Sequence, residues 1–191
     1  VEHDTERAIT LYEQALETAD ADIAARQLGR LAANGTLDGR IAPHRAVPWA
    51  LYAAQNGNTD AEAWVATQAK AGIRDAQAGL AALYLKSDGR AAEGAKLLEQ
   101  AATGGDASAQ AQLGEMYMTG TYVELDYVAA HKWFNIAATL GQSRAAELRE
   151  TAGALMTPEQ IAEAQAAARH WFDHEEPQPP ATEQSVTVTS E

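Results

Sequence analysis

The chain has no cysteine among its 191 residues. Disulfides, thiolate zinc sites and cysteine nucleophiles are therefore excluded, although this absence does not separate one cellular compartment from another. Basic residues are scarce: Lys plus Arg number 14 against 27 Asp plus Glu, a formal net charge of −13. A phosphate backbone or an anionic lipid surface would be repelled by such a chain, which argues against nucleic acid as a partner. No apolar run approaches the ~20 residues that cross a bilayer, so membrane insertion is not expected. Proline (6 residues) and aromatic side chains (6%) are few. Alanine, by contrast, is abundant. Because alanine has the highest helix propensity and strand-preferring residues are sparse, the expected class is all-α. The length allows one domain with a substantial core.

Apolar residues recur at three-and-four spacing from the start. In "ERAITLYEQALETAD" they are Ala8, Ile9, Leu11, Tyr12, Ala15, Leu16 and Ala19, one buried face of an amphipathic helix. Similar patterns predict helices at about 22–34, 44–55, 60–70, 75–86, 91–103, 107–118, 127–140, 143–155 and 158–172. Gly35, Gly57, Gly72, Gly89, Gly105, Gly120 and Gly141 stand near the expected helix ends. Thr157, Pro158 and Glu159 mark the start of the last helix as N-cap, first helical position and acidic first turn.

The helices are written in copies. "LGEMYMTG" at Leu113 aligns with "LAALYLKS" at Leu80, a period of 113 minus 80, or 33. The glycines that close the units give 141 minus 105, or 36, so the later copy carries a loop insertion of three residues. A third copy runs through "QLGRLAANG" and "VPWALYAAQNG", where Trp49, Ala53, Ala54 and Gly57 match Trp133, Ala137, Ala138 and Gly141. Each unit is a helix pair, A then B. A single pair cannot bury its apolar face alone, but stacked pairs share a continuous core. Gly114, Ala81, Ala137 and Ala138 allow close helix approach, while Leu113, Tyr117, Trp133 and their equivalents fill the space between. Expected boundaries are 1–20 for a B helix that has lost its partner, 21–58, 73–105 and 106–142 for the units, 59–72 for an irregular half-unit, and 143–172 for capping helices. Residues 173–191 read as a disordered acidic tail, since they mix proline, threonine, serine and glutamate with little to bury. A chain that enters a helix almost at Val1 is expected to have been cut from a longer array.

"AQAQLGEMYMTG", a loop with "VELDYVAA" and then "KWFNIAATLG" resemble the Sel1-like repeat, a relative of the tetratricopeptide repeat found in bacteria and eukaryotes. "LRETAGALMTPEQIAEAQAAARHW" resembles the segment that closes many bacterial members. The resemblance is fullest over 107–141, fair over 76–105, partial over 22–57, where Pro43 and Pro48 interrupt the pattern, and poor over 58–72. It implies an all-α, right-handed α-solenoid of antiparallel helix pairs that offers a groove to protein partners and has no chemistry of its own. It also implies a periplasmic or envelope location, with the cytoplasm as the alternative.

Residues that could carry chemistry have simpler readings. His170 and His174 stand at i and i+4 among Asp173, Glu175 and Glu176, a spacing that would chelate a metal if the helix continued through 174. The expectation is instead a helix that stops near Phe172 with a solvated end and no metal. His131, beside the packed Trp133, is expected at the surface or an edge. No serine, histidine and acid stand at catalytic spacing, and "GTLDGR" has neither the spacing nor the lysine of a phosphate loop. Pairs such as Glu93 and Glu99 are unremarkable in an acidic chain. No catalytic residue and no cofactor is assigned. Trp49 and Trp133, at equivalent repeat positions, are expected in the core; Trp64, in the half-unit, is either core or a binding anchor.

The functional expectation is a protein-binding module, an adapter, scaffold or regulatory protein with no enzymatic activity. A structural spacer within a larger envelope or secretion protein is the alternative. If A helices line one groove, the residues that avoid the core face it. These are Ile23, Arg26 and Arg30 in the first unit, Asp75, Ala78, Ala82 and Leu85 in the second, and Ser108, Ala111, Glu115 and Met118 in the third. Such a groove, basic at Arg26 and Arg30 and apolar at Leu85 and Met118, suits an amphipathic or acidic-apolar peptide. Partner identity and oligomeric state are open.

Overall fold

A computed structural model describes residues 2–18, 20–37 and 39–174. Among them are ten α-helices and no strand: α1 (Glu2–Ala15), α2 (Ala21–Ala33), α3 (Pro43–Gln55), α4 (Thr59–Lys70), α5 (Arg74–Leu85), α6 (Ala91–Thr103), α7 (Ala107–Thr119), α8 (Tyr127–Thr139), α9 (Ser143–Gly153) and α10 (Pro158–His174). The architecture is an α-solenoid. None of these helices is long and apolar enough to cross a membrane. The acidic stretch 175–191 lies outside the described residues.

The joints explain why the stack is tight. At Gly105 (φ 93°) and Gly141 (φ 95°) the chain enters the left-handed region that glycine reaches at least cost. The next residue then reaches back with its N–H, Asp106 to the Ala101 carbonyl (3.0 Å) and Gln142 to that of Ala137 (2.9 Å). Asp106 and Gln142 are themselves the N-caps of α7 and α9, so one residue closes a helix and opens the next. Asp106 also accepts from the Ala109 N–H at 2.7 Å, and Asp126 from those of Val128 and Ala129 at 2.9 and 3.0 Å. At α10, Thr157 and Gln160 exchange hydrogen bonds in a capping box. Pro43 is the first residue of α3, where a missing N–H costs nothing, and Pro48 sits exposed inside the same helix.

The pairs α2–α3, α5–α6 and α7–α8 pack most extensively, as the copies require. The buried side chains form three clusters along the stack. Glycine at a helix crossing leaves no room for a side chain: a Cβ on Gly114 would lie 2.6 Å from Cε1 of the fully buried Phe134.

The half-unit folds as a complete helix, α4, and shifts the register of everything after it. α4 lies beside α2, and α5 lies beside α3. Because the chain reverses at every joint, one extra helix places α2 in one row and α5 in the other. An odd insertion therefore moves the A helices of the second and third units into the row that holds the first unit's B helix. α4 also does a B helix's work: the Gln77 side chain donates to the Ala69 carbonyl (3.1 Å) as Gln110, 33 residues on, donates to Ala102 (2.9 Å).

Candidate functional site

Arg26, Arg30 and Asp75 are exposed, and Glu115 is half-exposed. The expectation of one groove across α2, α5 and α7 is corrected, since Arg26 and Arg30 belong to one row and Leu85 and Glu115 to the other. Arg26 also folds back on its own helix, donating from Nε to the Asp22 carbonyl at 3.3 Å. Beside it, the Asp22 carboxylate holds the Tyr52 phenol above the ordinary range, while Arg26 opposes the shift. Arg30 borders a separate hollow with Tyr12, Gln27 and Leu31.

What the structure does bring together is Leu85 and Glu115. They line a cavity of about 250 Å³ between α5, α6 and α7, with Leu98 and Met116 at its apolar base and Gln112 and Thr119 at its polar rim. Tyr122 completes the wall, 54% exposed and held at φ 63°, a conformation rare for a residue with a Cβ. Met118 was expected beside Leu85 but packs on the other flank, against the cluster of Ala130, Phe134 and Ala137. The helical period explains the exchange: Met116 and Met118 point about 200° apart around α7, and Met116 is the one on the α5 side. Glu115 lies 3.8 Å from Arg144 of α9. Ala111, also expected in the groove, packs with Met118.

Trp64 is half-buried against the N-terminal core and lines a hollow with Leu37, Ile41, Pro43 and Gln68. Trp133 is buried at 7% exposure, and Trp49 packs against the core without being fully enclosed. The expectation for His131 is corrected: it is buried at 5% exposure, with its ring edge toward Gly153 of α9. Burial first, and the charge of Arg149 second, hold its pKa below the ordinary value. Repeat alignment places position 131 on the B helix but does not report that α9 closes over it.

α10 continues through His174, two residues past the expected end. The rings of His170 and His174 stack at 4.1 Å, and Nδ1–H of His174 donates to the His170 carbonyl at 2.9 Å. Among the described residues no three His, Asp or Glu side chains are disposed to hold a metal ion.

One cluster was not anticipated. The guanidinium of Arg90 lies 3.4 Å from the centroid of the Tyr84 ring, pairs with Glu62 of α4 and reaches Glu93 of α6 at 3.4 Å. It fastens the inserted helix to the second unit. The sequence signal was an arginine at the N-cap of α6, a position where a capping side chain is the rule and Arg90 makes no capping bond.

A family model described as the Sel1 repeat matches residues 1–17, 22–58, 74–106 and 107–142. No curated protein matches the chain. Among solved structures it is similar to c5321, a protective antigen of uropathogenic Escherichia coli displaying an SLR fold, at 24% identity and TM-score 0.43, over 96% of this chain and 52% of that one. It is also similar to a Sel1 repeat protein from Oxalobacter formigenes, at 23% identity and TM-score 0.43, over 88% of this chain and 78% of that one. The chain spans about half the length of the first. With the repeat model matching more than half of its residues, the chain belongs to the Sel1 repeat family.

Proposed function

We propose that this chain is a protein-binding module, an adapter, scaffold or regulatory protein, whose principal contact is the hollow between α5, α6 and α7. Sel1 repeats are generally protein–protein interaction modules. The observation that supports this particular surface is the joining of Leu85, Leu98 and Met116 into an apolar base under a polar rim, with an exposed tyrosine at the lip. Such a base accepts one apolar side chain of a partner, and a thioether adapts its shape to the occupant. Tyr122 supplies a large contact area at small entropic cost. Its left-handed backbone stores strain of the kind found at binding loops.

The test is affinity capture with mass spectrometry, comparing the wild-type chain with Thr119→Arg, which places a long cation across the hollow from an exposed helix position. The variant should keep its helical circular dichroism and lose the partners that the wild type retains. An unchanged set of captured proteins would refute this surface. If Arg26→Glu with Arg30→Glu removed the partners instead, binding would belong to the other row.

A further inference from the structure

The repeat tyrosine occurs twice, and the two copies are finished differently. Tyr84 and Tyr117 are 33 residues apart, the spacing of the A helices, and the N-cap positions of the paired B helices, Arg90 and Asp126, are 36 apart. In the second unit the chain supplies its own arginine: Arg90 covers the Tyr84 ring and is held by Glu62 and Glu93. In the third unit an aspartate stands where that arginine stood. There Tyr117 opens onto a cavity of about 550 Å³ walled by Tyr127, Glu124, Asp126, Leu125, Val128 and Gln160.

We propose that the cavity beside Tyr117 takes the guanidinium of an arginine side chain from a basic peptide partner, replacing from outside what Arg90 provides within the second unit. The cavity is lined by the two kinds of group that hold Arg90, tyrosine rings (Tyr117 and Tyr127) and carboxylates (Glu124 and Asp126). A carboxylate from the preceding helix lies by the tyrosine in each unit, Glu62 of α4 near Tyr84 and Glu99 of α6 near Tyr117. The loop that forms the wall is fixed to α7, because the Asp126 N–H donates to the Tyr117 carbonyl at 2.9 Å. Asp126 spends Oδ1 on the N-terminus of α8. That helix end contributes only about half a positive charge, so the full charges of Glu124 and Asp126 leave the cavity negative. A planar guanidinium can lie on a phenol ring and still meet a carboxylate at its edge, which an ammonium does less well. The net charge of −13 draws such a partner in at low ionic strength.

This inference rests on the protein-binding reading only in that its occupant is a peptide; the surface is a different one, and the variants separate the two. The experiment is a titration of the full chain with pentaarginine at low ionic strength, followed by amide chemical shifts, with pentalysine for comparison. Pentaarginine should shift Tyr117, Leu125, Tyr127 and Gln160 together and bind more tightly than pentalysine. Asp126→Arg, which reproduces the second unit's internal arginine, should weaken pentaarginine at least tenfold. Glu147→Gln with Glu150→Gln changes the net charge by the same amount on exposed positions of α9, and should leave the response at Tyr117 in place. Tyr127→Leu, which keeps every charge, should raise Kd about 2- to 5-fold through loss of the ring's attraction for the cation. It also serves if Asp126→Arg fails to fold. Thr119→Arg should not alter the titration, so loss of the other surface and loss of this one are told apart. The proposal is overturned if the shifts spread evenly over acidic faces, if pentalysine binds as well as pentaarginine, or if neither Asp126→Arg nor Tyr127→Leu weakens binding.

Discussion

Gly114→Ala tests the packing of the third unit at a single methyl group. The added Cβ would lie 2.6 Å from Phe134 Cε1 and 2.7 Å from Cδ1, where carbon atoms prefer about 3.5–4.0 Å. Phe134 is fully buried, so its ring cannot swing into solvent, and the helices must separate by about an ångström. Overpacking costs about 1–3 kcal/mol, and a clash with a fully buried ring belongs in the upper half of that range, about 2–3 kcal/mol, while replacing glycine in a helix returns about 1 kcal/mol. The expected net loss is about 1–2 kcal/mol, or a fall in Tm of about 2–8 °C for a chain of this size. The second unit shows how the strain is avoided: at the equivalent positions it has Ala81 and Leu98, both buried, a larger residue facing a smaller one. Phe134→Leu alone should cost about 1–2 kcal/mol through the space it leaves. Gly114→Ala with Phe134→Leu should cost at least about 1 kcal/mol less than the sum of the single changes. Gly153→Ala is the control, since its Cβ would stand 3.6 Å from the nearest atom of His131 and only the propensity gain applies. Urea melts followed by circular dichroism measure all four. A neutral or stabilising Gly114→Ala, or an additive double mutant, would refute the reasoning.

Trp133→Ala should cost about 3–5 kcal/mol, because the ring is buried between units; a loss below about 1 kcal/mol in the same melts would contradict that burial. The folded pKa of His131 lies below the ordinary value, so as pH falls through about 6.5 the unfolded chain takes up the proton first and stability declines until the folded group also titrates. His131→Asn should flatten that part of the profile in melts at about pH 7.5 and 5.5, and an unaltered slope would assign it elsewhere. Arg90→Ala removes the link between α4 and the second unit. With Arg90 and Glu62 side chains 37% and 29% exposed, the expected loss is only about 1 kcal/mol. Faster amide exchange in α4 than in α8 would check it.

Much of the fold is legible in the periodicity. Three-and-four spacing of apolar residues marks every helix because an isolated amphipathic face has to be covered, and that requirement is local. Glycine at the unit ends is legible for the same reason, since Gly105 and Gly141 answer to a backbone angle that neighbouring atoms impose. The copies at Leu80 and Leu113 identify the packing surface, and both are buried. The surface that meets a partner is another matter. The repeat pattern points to Met118 as the groove residue, yet the position of α5 makes Met116 the one that lines the hollow. His131 became a buried group when α9 covered it. Arg26, Arg30, Leu85 and Glu115 fall on matching A helices, yet they do not share a face. A single inserted helix reverses the chain once more, and the effect of that reversal on which row each later helix joins is a property of the stack.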